Sequence, residues 1–441
     1  MEILSCVENK KTVAILTNFM DFNPGYSLSG IVVDQAYMLA KYGHKVIIYV
    51  NEQYNEKFEA DAGITNLKEK FPGLVRVKKM TKFMHLIDYD SANNVTDEHK
   101  AAAQHAGKIY FHDFQKELVS VVFTHDFIFT GWNLPYSMAV KEADSQLKGK
   151  EYEISWFHWV HSVPSGNRDW WSLFEYGPNH KIVFPNKTEV MRVAEAFRTN
   201  PSQVAIIPHI KDIRMWYEFG PESMEFIEAY PNVMQADVVQ VYPCSSDRMS
   251  AKQLHLIIKM FAFMKVMGGA NVFLVVANQW ATGKQRREDI NQYIELGEQC
   301  GLYYGKDFVF TSEFSDKYQT GISRKMLREL QLLSNLFIFP TMEESFGLVG
   351  PEAAFSGSLV VMNKSLTMLF EVLSSATPAF EFGSFHSSTT ATKDNNYLVA
   401  VGMAILNYLY TNPAIATKTF CRKRYNHDNI YKRYYLPAIS K

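Results

Sequence analysis

Cysteine is scarce in this chain. Its 441 residues include four cysteines, which are far apart in the sequence: Cys6, Cys244, Cys300 and Cys421. No Cys-x-x-Cys or Cys/His pairing suggests zinc, and so sparse a set does not predict a disulfide framework. We therefore expect a protein of a reducing compartment, the cytoplasm.

Long apolar runs are lacking too, and the first residues do not have the layout of a signal peptide. No integral membrane segment is expected. Charge of one sign is not in excess, because 45 Lys and Arg balance 46 Asp and Glu to a formal net charge of −1. The protein therefore has no overall positive electrostatic field that would attract nucleic acid or an anionic membrane. Such contacts would require local basic patches.

The amino-acid composition and the length of the chain indicate a folded protein with two domains. Apolar residues make up 47% and charged residues 21% of the chain, which is typical of globular proteins. A chain of this length exceeds one ordinary core, so we expect two domains of about 200 residues each. Strand-like apolar runs alternate with helical spacing throughout, in two successive sets, which predicts an α/β fold with parallel, doubly wound sheets. The predicted strands are 13–16, 46–50, 120–123, 154–157, 181–184 and 204–207, then 238–242, 272–276, 308–310, 336–339 and 359–361.

The most informative segment is 340–357, which follows the last but one of these strands. Pro351 and Glu352 are typical of a first helical turn, and a strand that feeds a helix leaves N–H groups available to an anion. The carboxylates of Glu344 and Glu352, with seven residues between them, would repel phosphate but suit hydroxyl groups as hydrogen-bond acceptors. Phosphates and hydroxyls at one strand end predict a nucleotide-sugar site.

This segment resembles the Glu-x7-Glu signature of retaining glycosyltransferases of the GT-B fold, family 4. The matching residues are Ser334-Asn335, Pro340-Thr341, Glu344, Phe346-Gly347-Leu348, Glu352-Ala353 and Gly357. The resemblance implies two Rossmann-like halves with a central cleft. It further implies an acceptor domain over residues 1–216, a hinge over 217–237, a nucleotide-sugar domain over 238–417, and a C-terminal helix over 418–441 that crosses back to the first domain.

The resemblance also implies the donor site. Glu352 would accept hydrogen bonds from the ribose and Glu344 from the donor sugar. Arg248 and Lys252 would neutralise the diphosphate, although their spacing is one residue shorter than the family pattern and no glycine precedes Arg248. The remaining donor-binding candidates are Ser345, Phe346, Gly347, Leu348 and, before the first helix, Gly30. No Gly-x-Gly-x-x-Gly follows the first strand, so a dehydrogenase gains little support.

On the acceptor side, His161 follows a predicted strand and matches the histidine that contacts the transferring sugar in the family. His158 is the less favoured register. His125 and Asp126 follow another strand, at the edge where open α/β sheets bind ligands. Two further features are candidates for acceptor binding: an aromatic insert with Trp170 and Trp171, and a basic cluster of Arg76, Lys78, Lys79 and Lys82. A packed loop and a solvated face are the alternative interpretations of these two features.

The predicted activity is transfer of a hexose from a UDP-linked donor to a hydroxyl acceptor, with retention at the anomeric carbon. The acidic runs indicate solvated faces and not the Asp-x-Asp metal site of the other transferase fold, so neither a metal nor a separate cofactor is expected. The acceptor is a saccharide, a lipid-linked sugar or a small molecule. One alternative is a phage-type transferase that acts on hydroxymethylated pyrimidines in DNA; others are a sugar-nucleotide epimerase and a non-catalytic sugar-binding module.

Overall fold

The computed structural model describes residues 10–80, 94–125, 134–147, 153–161, 176–387 and 389–440. The chain divides into two compact units. Unit 1 comprises Met1–Ile210 and His427–Lys441, and unit 2 comprises Lys211–Asn426. Each unit is built on parallel strands, so the prediction of an α/β chain with parallel sheets is confirmed.

Unit 1 contains one parallel sheet, whose strands are β1 Thr12–Leu16, β2 Lys45–Val50, β3 Val75–Lys79, β4 Val119–His125, β5 Ser155–Trp159, β6 His180–Phe184 and β7 Val204–Ile206. Their order is β3-β2-β1-β4-β5-β6-β7. The direction of winding reverses between β1 and β4, and the carboxyl ends of strands at such a switch point are where open α/β sheets bind ligands.

The helices of unit 1 up to its last strand are α1 Ser27–Lys41, α2 Ile64–Lys70, α3 Asp97–Glu117, α4 Leu134–Leu147 and α5 Val190–Ala196. Helix α1 buries Val32, Ala36 and Leu39 at helical spacing. Helix α3 begins with a capping box in which Thr96 and His99 satisfy each other's backbone N–H groups.

Unit 2 contains the strands β8 Val238–Ser245, β9 Val272–Gln279, β10 Phe308–Phe310, β11 Leu336–Phe339, β12 Leu359–Asn363 and β13 Ala379–Phe380. They form two parallel ladders, β10-β9-β8 and β11-β12-β13. Side chains join the two ladders, since the Gln240 amide donates to the Ile338 carbonyl at 3.0 Å and accepts from the Ile338 N–H at 2.9 Å. The switch point of unit 2 therefore lies between β8 and β11.

The helices of unit 2 are α6 Ile213–Trp216, α7 Pro221–Ala229, α8 Asn232–Gln235, α9 Leu254–Val266, α10 Lys284–Gln299, α11 Thr311–Phe314, α12 Arg324–Leu333, α13 Val349–Phe355, α14 Met368–Leu373, α15 Asn395–Thr411 and α16 Pro413–Arg424. Among the described helices none alone has the length and apolar character of a membrane span, whereas α15 and α16, bent by 80° at their junction, meet that test together.

The C-terminal residues return to unit 1. They form α17 His427–Ile430, a π-helical turn Tyr431–Tyr435 and α18 Leu436–Ile439. The Tyr431 ring stacks on Tyr42 at a centroid distance of 3.6 Å, and its hydroxyl lies 2.8 Å from His44 Nε2. Stacking and hydrogen bonding together anchor this segment to the loop between α1 and β2 of unit 1.

Three local expectations differ from the structure. The expected hinge over 217–237 forms α7 and α8 within unit 2, because apolar residues such as Phe226 and Val233 pack into a core with β8 and β9. Residues 75–79 form the strand β3, which the sequence pattern does not predict because three of its five residues are basic. Gly30 lies inside α1 and not before it, because the helix already begins at Ser27.

Candidate functional site

The switch point of unit 2 brings two predicted donor residues together. Lys252 follows β8 and Glu344 follows β11, and the Lys252 ammonium donates to the Glu344 carboxylate in an ion pair. Both side chains are largely buried, at 14% and 16% exposure. The same ammonium lies 5.9 Å from the centre of the Phe339 ring. A cation and a carboxylate thus share the carboxyl edge of the sheet at the point where ligands are expected.

Buried amides hold the backbone around this ion pair. Gln253, which has a left-handed backbone with φ of 51°, donates to the Pro340 carbonyl at 2.7 Å and the Phe382 carbonyl at 2.9 Å. Asn363, at the end of β12, donates to the Thr341 carbonyl at 2.9 Å. The Tyr242 hydroxyl donates to the Lys252 carbonyl at 2.9 Å. These bonds fix the loops that carry Lys252 and Glu344.

Five further donor candidates lie at the start of α13. Gly347 is buried with φ of 76°, and a Cβ placed there would meet the Phe339 ring at 2.9 Å, so only glycine fits this turn. Ser345, Phe346 and Leu348 are exposed around it. Glu352 is in the first turn of α13 and is partly buried.

Arg248 is exposed on the loop between β8 and α9, and its backbone carbonyl accepts a hydrogen bond from the Lys252 N–H at 2.8 Å. A cavity of about 470 Å³ opens beside this loop, a volume in the range of small-molecule sites. Its lining residues are mostly polar and are Ser246, Asp247, Met249, Ser250, Asp289, Gln292, Tyr293 and Leu296. Burial raises the pKa of the Tyr293 phenol to about 12.

The carboxyl edge of unit 1 carries a second cluster. His125 ends β4 and His161 follows β5, and His125 Nδ1 lies 2.8 Å from His161 Nε2. On its other side, His125 Nε2 lies 2.8 Å from Gln35 Oε1 of α1. The structure therefore joins the two predicted histidines and adds a glutamine that the sequence analysis did not select.

Aromatic rings cover this histidine pair. The Trp159 ring lies nearly parallel to His125, His161 and His209, with centroid distances of 5.4, 5.5 and 5.5 Å. Burial lowers the pKa of His125 to about 3 and lowers that of His161 as well, and neighbouring imidazoles add to both effects. Both rings are therefore neutral near pH 7. Neutral imidazoles form hydrogen bonds with hydroxyl groups and do not attract anions.

His158, the less favoured candidate for the sugar-contacting histidine, lies inside β5, where protein groups surround its ring. Its Nδ1 lies 3.0 Å from Thr124 Oγ1 and its Nε2 lies 2.9 Å from His180 Nδ1. His180 in turn lies 3.4 Å from the Asp144 carboxylate. His158 is fully buried and both ring nitrogens face protein groups, so it has no exposed nitrogen for a substrate.

The acceptor candidates Asp126, Trp170 and Trp171 lie outside the described residues, as does Lys82. Two members of the predicted basic cluster are ion-paired across unit 1: Arg76 with Glu117, and Lys78 with Asp113. The guanidinium of Arg76 and the ammonium of Lys45 lower the pKa of Glu117 to about 2. These pairings support the interpretation of the cluster as a charged face of the edge strand β3.

Sequence reasoning missed Gln35, Gln253 and Asn363. Each is a polar residue beside apolar neighbours, such as Asn363 at the end of the run Leu359-Val360-Val361-Met362. A polar residue on an otherwise apolar face is the available signal, because buried amides are retained where they have specific partners. Within the described ranges, no group of three His, Cys, Asp or Glu residues has an arrangement that could hold a metal ion.

No family model matches this sequence, and no curated protein matches it. Among solved structures, the chain is similar to a glycosyltransferase from Rickettsia africae ESF-5, at 13% identity over 98% of this chain and 96% of that chain, with a TM-score of 0.33. It is similar to Anabaena Alr3699/HepE in complex with UDP, at 13% identity over 98% and 100% of the two chains, with a TM-score of 0.33. A third is WaaG, a glycosyltransferase involved in lipopolysaccharide biosynthesis, at 14% identity over 97% and 98%, with a TM-score of 0.30.

Proposed function

We propose that the protein is a GT-B glycosyltransferase that moves a hexose from a UDP-linked donor to a hydroxyl acceptor with retention of configuration. The observation that carries the proposal is the meeting of Lys252 and Glu344 at the switch point of unit 2. A donor needs a cation for its diphosphate and carboxylates for its hydroxyl groups. Lys252 and Glu344 provide both groups at one edge of the sheet, in the sequence register of the Glu-x7-Glu motif.

In this proposal Lys252 and Arg248 neutralise the diphosphate, Glu344 holds a hydroxyl of the sugar, and Glu352 holds the ribose. The bond between the anomeric carbon and the diphosphate oxygen breaks, and the acceptor oxygen bonds to the anomeric carbon on the same face. The proton of the acceptor hydroxyl passes to the leaving phosphate oxygen. His161 accepts or donates a hydrogen bond at the transferring sugar, and these residues perform the reaction without a metal ion.

The proposed acceptor is a saccharide, a lipid-linked sugar or a small molecule. The neutral imidazoles of His125 and His161 support an uncharged hydroxyl group as their partner. Arg76 and Lys78 already form ion pairs within unit 1, so they are less available to the phosphates of a DNA acceptor. The trial acceptors should therefore include free sugars, lipid-linked sugars and hydroxymethylated DNA, so that each acceptor class is measured directly.

The test is release of nucleoside diphosphate from a panel of nucleotide sugars, with and without these acceptors. We expect release that depends on an acceptor, and a glycoside whose anomeric configuration by NMR equals that of the donor. Glu344→Gln and Glu352→Gln should each reduce turnover by roughly a hundredfold, because one lost transition-state contact is worth about 2–4 kcal/mol.

Glu343→Gln is the matched control, since Glu343 is adjacent to Glu344 but exposed. It should retain the parent turnover. Full activity in both Glu344→Gln and Glu352→Gln would refute the assignment of the donor site. Conversion of the nucleotide sugar to an epimer without transfer would refute the proposed transferase activity.

A further inference from the structure

Lys418 of α16 places its ammonium group among backbone carbonyls. The ammonium donates to the carbonyls of Ser334 at 2.6 Å, Ser356 at 2.7 Å and Gly357 at 3.3 Å. An ammonium group has three hydrogens, so these bonds use all of them. Burial and the neighbouring charge of Arg422 lower the pKa of Lys418 to about 8. The group is therefore still charged in most molecules at pH 7.

These three carbonyls lie at the two ends of one chain segment. Ser334 is the C-cap of α12 and precedes β11, whereas Ser356 is the C-cap of α13 and is followed directly by Gly357. The segment between them contains both Glu344 and Glu352. One side chain thus bridges the two ends of the Glu-x7-Glu segment. Because the C-terminus of a helix has a partial negative charge, a cation at this place stabilises both helices.

Helix α13 has little apolar packing of its own. It has seven residues, and those that are fully buried, Gly350 and Ala353, are small. Phe355 near its end is 89% exposed. Since short helices are marginal in water without tertiary packing, the position of α13 depends strongly on the contacts at its ends.

Ser356 connects Lys418 to Glu352. The N–H and the hydroxyl of Ser356 donate to the Glu352 carbonyl, at 3.1 and 2.9 Å, while the Ser356 carbonyl accepts from Lys418. We infer that Lys418 is a positioning residue that holds α13 so that the Glu352 carboxylate meets the ribose hydroxyls of a nucleotide. The inference rests on the proposed role of Glu352 at the ribose. Without the ammonium, α13 loses the partner of its last turn, and the carboxylate in its first turn is no longer held in one place.

A comparison of UDP with 2′,3′-dideoxy-UDP tests this role, because the second nucleotide lacks the hydroxyls that Glu352 would hold. The parent protein should prefer UDP by about tenfold, the effect of a hydrogen bond to a charged group. Lys418→Met has a similar length but no donor, and should lose most of this preference while it retains its affinity for dideoxy-UDP. A variant that is only less stable would lower both affinities by the same factor.

Two further variants show whether the effect passes through Glu352. Lys423→Met is the matched control, because Lys423 lies on the same helix but pairs with Asp237 outside the Glu-x7-Glu segment. It should keep the parent preference for UDP. Glu352→Gln should lose the preference, and adding Lys418→Met to it should cause no further loss, because both changes act on one contact.

Hydrogen exchange gives a second readout that needs no nucleotide. In Lys418→Met the amides of α13 should exchange about tenfold faster than in the parent protein, because hydrogen bonds to a charged group are lost at the end of this helix. The amides of α10, which belong to the same unit, should exchange as in the parent protein. This local change separates a release of α13 from a loss of stability in the whole unit.

Two results would overturn the inference: parent-like exchange of α13 in Lys418→Met, or a parent-like preference for UDP in that variant. If Lys418→Met does not fold, Lys418→Gln, which is uncharged and one bond shorter, is measured in its place. A protein that transfers a sugar while the variant keeps the preference would refute the inference alone. A parent protein that binds no nucleotide would refute the proposed function, and the exchange of α13 would then show by itself whether Lys418 fixes this helix.

Discussion

Lys252 and Glu344 lie 92 positions apart in the sequence and form an ion pair at the switch point of unit 2. A diphosphate that binds here must compete with the Glu344 carboxylate for the Lys252 ammonium. The same carboxylate repels the phosphate charge. In the proposed donor site, Glu344 therefore weakens the binding of a free nucleoside diphosphate to Lys252. Both residues contribute to binding only when the ligand is a complete donor whose sugar contacts Glu344.

This relationship predicts opposite effects of two substitutions on UDP binding. Lys252→Met should weaken UDP about 10–150-fold, because a charge-assisted contact is worth about 1.5–3 kcal/mol. Glu344→Gln should bind UDP at least as tightly as the parent protein, because Lys252 is released and a negative charge is removed, even though turnover falls. Calorimetric titration of UDP measures both effects.

Lys317→Met serves as the control for Lys252→Met, since Lys317 forms an exposed ion pair with Glu225 at 3.3 Å, and exposed pairs contribute little. Its UDP affinity should equal that of the parent protein. Parent-like binding by Lys252→Met would mean that the diphosphate binds elsewhere in unit 2.

A second prediction concerns the stability of the turn before α13. Gly347→Ala should destabilise unit 2, because φ of 76° costs a non-glycine residue about 1–2 kcal/mol and the new Cβ would meet the Phe339 ring at 2.9 Å. Gly305→Ala has the same backbone penalty, with φ of 77°, but no atom within 4 Å of its Cβ. Chemical unfolding should therefore show a larger loss for Gly347→Ala, and equal losses would contradict the steric argument.

A third prediction concerns acid. Burial lowers the pKa of His44 to about 4, whereas an unfolded histidine has a pKa of about 6.5. Between these values the unfolded chain binds the additional proton, so the stability that neutral His44 contributes to unit 1 is complete above pH 6.5 and falls as the pH is lowered toward 4. The contribution of His44 amounts to about 3 kcal/mol across that window. Hydrogen exchange of unit 1 at pH 7 and pH 5, corrected for intrinsic rates, measures the part of this loss that falls above pH 5, which is about 2 kcal/mol.

His44→Gln does not titrate in this range and should reduce the acid-dependent loss. His105→Gln, at an exposed position of α3, should leave the loss as it is. The Lys11 amide is a local probe, because its N–H donates to His44 Nδ1 at 3.1 Å. An identical pH dependence in the parent protein and His44→Gln would exclude His44 as the source.

The local structure around the candidate donor residues could be predicted from the sequence because its signals are local. The apolar run Leu336–Phe339 becomes β11, and the small and acidic residues after it become the turn and first helical turn that hold Glu344 and Glu352. The order of strands and helices follows from hydrophobic spacing over a few residues. Basic residues concealed β3, since an edge strand need not alternate cleanly between apolar and polar residues.

The sequence by itself determined the element types, the α/β class and the motif around Glu344, since each depends on neighbours within one or two turns of chain. Only the tertiary structure decided which side chains meet. The pairs Lys252–Glu344, Arg76–Glu117 and Gln35–His125 join distant parts of the chain. For Lys252 and Glu344, the reason is the order in which strands are wound into a sheet, because that order places the carboxyl ends of β8 and β11, and the residues after them, at one edge. Gln35 and Glu117 lie on the helices α1 and α3, so their pairs depend on how these helices pack against the sheet.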